Sequence, residues 1–175
     1  MPSFRSYATL ESFGSSGCQV GDQTFRDFVF SSSATGIASV PEAADITFHF
    51  APAATGTCGL NFGGFVLDAT ANAVTFISGA ELTLRFDIAV ATGGQPIDGS
   101  ELDVLGSAAN NASAVVNETL CVGQSYMSTC AHPIPLDTPA RGSNMVSFTP
   151  STLVGVDATA DVSAFMPVAL VASRA

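Results

Sequence analysis

A chain of 175 residues, 47% of them hydrophobic, is long enough to bury a sizeable core in one domain. Only 11% of residues are charged, Lys is absent, and five Arg stand against fifteen acidic residues, for a formal charge of -10. Such a surface repels phosphate backbones and anionic headgroups, which argues against nucleic acid as a partner, and no apolar run is long enough for a membrane-spanning helix.

In chain order, residues 4–13 (FRSYATLESF) set Phe4, Ser6, Ala8 and Leu10 against Arg5, Tyr7, Thr9 and Glu11, and read as a first strand at an edge. Residues 1–10 show no signal-peptide pattern, so the sequence reads as a mature or trimmed form. Gly14 and Gly17 break the first strand, Gly21-Asp22 supplies a turn, and Phe25, Phe28 and Phe30 follow as core candidates. The aromatic spacing changes phase within that segment, which predicts a bulge or burial on both faces. Residues 31–44, rich in Ser and Ala and ending near Pro41, read as a loop. Alternation resumes with Ile46, Phe48 and Phe50 inward and Thr47 and His49 outward, and shorter strand pieces follow around residues 58–62, 65–67 and 73–78.

Residues 80–91 (AELTLRFDIAVA) carry the cleanest period-2 pattern in the chain. Leu82, Leu84, Phe86, Ile88 and Val90 point one way; Glu81, Thr83, Arg85 and Asp87 point the other, as a strand with one wet face requires. A slip of one residue would bury the charged set, so the register is strongly specified. Strands at residues 97–107 and 112–122 read as a hairpin beside this one. Residues 121–141 look irregular, because Pro133, Pro135 and Pro139 forbid continuous ladder bonding, and strands resume at residues 145–148, 153–160 and 162–171. About ten short strands and no helix predict an all-β fold, an antiparallel β-sandwich or jelly roll, with residues 1–175 as a single domain. Residues 1–13 are its edge strand or a strand exchanged between subunits.

Four cysteines with no CxxC pair point to two disulfides in an exported protein. Cys121 and Cys130 enclose eight residues and close easily, leaving Cys18 with Cys58. The alternative, a metal site built from Cys121, Cys130 and His132, needs reduced thiols and a fourth ligand. The only other histidine is His49, and neither is framed by a catalytic motif. Asp98, Glu101 and Asp103 offer hard oxygen donors for calcium, without the EF-hand order of ligands; the competing reading is a turn followed by a wet strand face. Asn111 and Asn117 begin glycosylation sequons. The absence of Trp, with Tyr7 and Tyr126 the only tyrosines, weakens a reading as a sugar-stacking lectin.

Several positions together resemble the exported ectodomains of bacterial PEP-CTERM proteins, which exosortases process at the cell envelope. They are Cys18 with Gly21, Asp22 and Phe25; Gly59-Leu60 with Phe62; Phe86, Ile88 and Val90; Ile97-Asp98 with Leu102; Glu118, Cys121 and Gly123; then Phe148, Pro150, Val156, Asp161 and Val162. The namesake Pro-Glu-Pro signal, its membrane helix and the terminal Arg cluster are not in this sequence, and the resemblance would account for that by removal during sorting. It implies a secreted β-rich protein of the cell surface or extracellular matrix, and supplies no catalytic residues.

The expectation is therefore an extracellular structural protein, a subunit of a matrix, sheath or filament, with no enzymatic activity and no cofactor. Its partners would be copies of itself, assembling through Phe4, Tyr7, Leu10 and Phe13, and extracellular polysaccharide. The alternative is a secreted adhesion module that binds glycan or calcium.

Overall fold

A computed structural model describes residues 4–35, 42–44, 47–50, 65–68, 70–73, 79–105, 113–139, 141–163 and 166–169. The strands are β1 (Phe4–Ser6), β2 (Cys18–Val20), β3 (Gln23–Thr35), β4 (Thr47–Phe50), β5 (Phe65–Asp68), β6 (Thr70–Ala73) and β7 (Gly79–Val90), then β8 (Ile97–Leu105), β9 (Ser113–Val122), β10 (Pro133–Pro139), β11 (Arg141–Ser151), β12 (Leu153–Ser163) and β13 (Met166–Ala169). A short helix, α1 (Tyr7–Glu11), and a 3-10 turn at Gly14–Ser16 lie between β1 and β2. The fold is an all-β antiparallel sandwich. Its main layer is a six-stranded sheet ordered β10-β9-β12-β7-β3-β2, and its smaller sheets are β1-β4-β5, β11-β8 and β13-β6.

The strand with the strongest alternation, β7, lies within this sheet, between β12 and β3. Its even-numbered residues Leu82, Leu84, Phe86 and Ile88 are buried, and they continue across β12 as Val154, Val156 and Ala160 and across β9 as Val116 and Leu120. Phe86 stacks on Phe28, with ring centroids 5.5 Å apart, and packs against Phe25 at 6.3 Å. The β8–β11 ribbon closes the other side of the core with Leu102 and the partly buried Ile97, Val146 and Phe148. Glu118, in the inward phase of β9, is buried to 3% exposure between the layers, where its carboxylate accepts a 3.3 Å hydrogen bond from Ser100 Oγ.

The phase change in β3 is a bulge. Its register with β7 shifts between Arg26 and Val29, and Asp27 adopts a left-handed φ of 55°, so Phe25 and Phe28 can both face the core.

Four expectations require correction. Residues 7–11 are helical, not extended: Ser6 caps the turn by accepting from Thr9 N at 3.3 Å, and a helical spacing of three puts Tyr7 and Leu10 on one face, both at 0% exposure. Only residues 4–6 of that segment form a strand, which pairs with β4 of the same chain. The polar stretch 31–35, read as a loop, continues β3 and pairs with residues 79–83 of β7. Pro133, Pro135 and Pro139 sit in a strand after all, because β10 is at the end of the sheet and prolines in one phase can turn their hydrogen-free nitrogens away from β9. Finally, β8 and β9 are not a hairpin; β8 pairs with β11, while β9 lies between β10 and β12.

Candidate functional site

The feature that departs most from a plain sandwich lies on the outer face of the six-stranded sheet. Odd-numbered residues of β7 face outward, and Asp157, Thr159 and Asp161 of β12 lie opposite Arg85, Thr83 and Glu81. Arg85 Nε donates to Asp157 Oδ2 at 2.9 Å, Thr83 and Thr159 hydroxyls are 3.5 Å apart, and Asn117 Nδ2 donates to Asp161 at 3.4 Å. Thr83 is itself buried, at 6% exposure, so it too leaves the wet face expected of it; the Arg85–Asp157 pair is half-exposed and contributes about 1 kcal/mol or less.

At one end of this face the chain leaving β9 folds back over the sheet. Gly123, at φ 77°, makes the turn with a backbone conformation that side chains disfavour, and its N–H donates to Leu153 O at 2.8 Å. The segment then passes directly above Gly155, where an added Cβ would overlap the backbone of Ser125 and Tyr126, so only glycine permits this approach. Tyr126 N–H donates to Asp87 Oδ1 at 3.0 Å, and Tyr126 Oη donates to the bulge carbonyl of Asp27 at 2.5 Å. Asp87 is thereby buried to 1% exposure, which corrects its reading as a residue of a wet face. Burial, with the negative charges of Asp87 and Asp27, pushes the Tyr126 hydroxyl above the ordinary tyrosine range.

The loop is closed by the Cys121–Cys130 disulfide, with a Cα separation of 5.4 Å. That pairing matches the expectation and removes the alternative metal site, since bonded sulfurs are not thiolate ligands. His132 is exposed on the turn into β10. Cys18, buried in β2, is also disulfide-bonded. Cys58, read as its partner, lies outside the described residues, as does Asn111. Asn117 lies on the outer face with its amide half-exposed, and the side chain of His49 lies outside the described residues.

Of the calcium candidates, Asp98 and Glu101 both line one cavity; Glu101 accepts from Ser143 Oγ at 3.1 Å, and the side chain of Asp103 lies outside the described residues. No group of three His, Cys, Asp or Glu with metal-binding geometry occurs among the described residues. A half-open cavity of about 230 Å³ lies against this ribbon, lined by Asp98, Ser100, Glu101, Met145 and Ser147 among others.

The assembly candidates are used within the chain. Tyr7 and Leu10 are fully buried, Phe13 packs against the same core, and the Phe4 side chain lies outside the described residues. Tyr7 Oη donates to Arg85 O at 2.7 Å and Val29 O at 3.3 Å, carbonyls that the bulge turns toward it, and its ring meets Phe28 edge to face. Tyr7 and Leu10 therefore cannot form an exposed pairing surface in this conformation. Sequence reasoning missed the Asp87–Tyr126 contact and the buried Glu118. The second was signalled by the inward phase it shares with Val116 and Leu120.

No family model matches the chain, and no curated protein matches it. Among solved structures it is similar to the enzymatically active domain of tailspike protein 4 of bacteriophage CBA120, at 14% identity and a TM-score of 0.41, over 83% of this chain. The chain spans 19% of the length of that tailspike chain, and a similarity at this level carries no assignment of activity.

Proposed function

We propose that this chain is an exported, non-catalytic structural domain of a cell surface or extracellular matrix that associates with copies of itself. The observation that carries the reading is the cystine-closed loop. Cys121–Cys130 holds the β9–β10 connection against the sheet, Cys18 is bonded as well, and structural disulfides persist where the surroundings are oxidising. A Lys-free surface with a net charge of -10 and the resemblance to PEP-CTERM ectodomains point the same way.

Immuno-electron microscopy of the native material tests the reading. It should place the protein outside the cell in multi-copy structures, with all thiols blocked by disulfide formation. Monomeric, reduced protein in the cytosol would refute it.

The cavity beside Asp98 and Glu101 favours a second reading, an adhesion module for calcium or glycan. Saturable calorimetric binding of calcium or of an oligosaccharide by the full chain, lost in Asp98→Asn, would replace the structural role with that one.

A further inference from the structure

The two ends of the six-stranded sheet are protected unequally. At the β10 end, Pro133, Pro135 and Pro139 present no N–H, and the Asp137 carbonyl is occupied by Asn144 Nδ2 at 3.2 Å. At the other end, β2 covers β3 only at residues 23–25, and α1 covers the next part through Glu11, whose Oε1 accepts from Phe30 N at 2.8 Å. Residues 31–35 (SSSAT) follow, all five exposed, with β7 on one side and no paired strand on the other among the described residues.

The bond from Phe30 N to Glu11 fixes the orientation of the stretch. Since the Phe30 N–H points away from β7, strand alternation turns the N–H and C=O of Ser32 and Ala34 away from β7 too, while Ser31, Ser33 and Thr35 face it. The open edge has neither proline nor bulge, and it lacks charged side chains, the usual devices that prevent strand addition.

We propose that residues 31–35 form a self-pairing edge, at which a second copy of this chain adds antiparallel across a two-fold axis. This deepens the self-association reading above and rests on it. With Ser33 on the axis, Ser32 lies opposite Ala34 of the partner subunit, and Ala34 opposite Ser32 of the partner subunit. Each of these is a hydrogen-bonded pair, about four main-chain bonds in all. The self-complementary sequence satisfies both copies equally, and an uncharged contact is where two chains of charge -10 can approach. The contact is isologous, so it closes as a dimer and joins two six-stranded sheets into one.

Sedimentation velocity on the full chain, with and without Ser32→Pro/Ala34→Pro, tests the edge. Proline at these outward-facing nitrogens leaves the β7 ladder intact, so the variant should keep the thermal transition of the parent and dimerise at least about tenfold more weakly. Ser32→Glu/Ala34→Glu, which sets like charges opposite one another, should give the same loss and serves if the proline variant does not fold. Dimers of undiminished affinity in a folded variant would overturn the proposed edge and leave self-association standing. A parent chain that stays monomeric at every concentration would overturn both.

Discussion

The inner and outer faces of the six-stranded sheet are closed by different means. Inside, Leu82, Leu84, Phe86 and Ile88 of β7 continue into Val154 and Val156 of the adjacent β12 and Leu120 of β9 beyond it, and side chains alone exclude water. Outside, Thr83, Arg85 and Asp87 of the same strand are polar, and Asp87 is covered by the backbone of a disulfide-closed loop. The first closure is strong because apolar area is removed from water in proportion to its size; the second is local, and depends on one cystine, one glycine and a few hydrogen bonds. Period-2 alternation tells which residues leave the core, but not which of them are covered again from the other side.

Breaking the inner face should have the larger effect. Phe86→Asp places an ionised carboxylate among Phe25, Phe28 and Val156, and the expected outcome is loss of cooperative unfolding altogether, read by circular dichroism on heating. A soluble variant with an unchanged transition would mean that this face does not hold the sheet. On the outer face, Gly155→Val should cost about 2 kcal/mol in urea unfolding, since the new side chain overlaps Ser125 and Tyr126. That penalty should shrink when Cys121 and Cys130 are both serine, because a released loop can move aside.

The smallest effect lies where α1 joins the sheet. Burial first, then the charges of Glu11 and Tyr126, hold the Tyr7 hydroxyl protonated well above the usual tyrosine range. Its folded pKa is the higher one, so above the ordinary value of about 10 the unfolded chain loses a proton that the folded chain keeps. This contribution to stability is therefore intact below that pH and is lost as pH rises beyond it. Tyr7→Phe should cost about 1 kcal/mol at neutral pH, through the hydrogen bond to Arg85 O, and flatten the alkaline fall in Tm. Tyr126, shifted in the same direction, leaves a residual slope. An alkaline limb unchanged in Tyr7→Phe would show that Tyr7 is not held protonated by the fold.

The parts legible in the sequence were those set by local pattern. The faces of β7 follow from strict alternation, the β3 bulge from the phase of Phe25, Phe28 and Phe30, and the Cys121–Cys130 bond from the short loop between them. Helix α1 was hidden because a five-residue helix offers only one buried i, i+3 pair, Tyr7 with Leu10, and weak alternation in the same residues imitates a strand. Residues 31–35 carry no periodicity at all, and they are extended because β7 offers a ladder. Strand order was equally out of reach. The insertion of β12 between β7 and β9 depends on pairing across more than 30 residues of chain, for which no local signal exists. Asp87 and Gly155 became interpretable only once the loop was seen to cross above them.

Hydrogen exchange at the Tyr126 amide, compared between the parent chain and Cys121→Ser/Cys130→Ser, tests most directly whether the disulfide loop closes the outer face. This N–H donates to the buried Asp87 carboxylate and belongs to no strand ladder. The account predicts protection in the parent and exchange at least about tenfold faster in the serine variant, with the amides of β7 unchanged. An amide that exchanges at the same rate in both chains would contradict it.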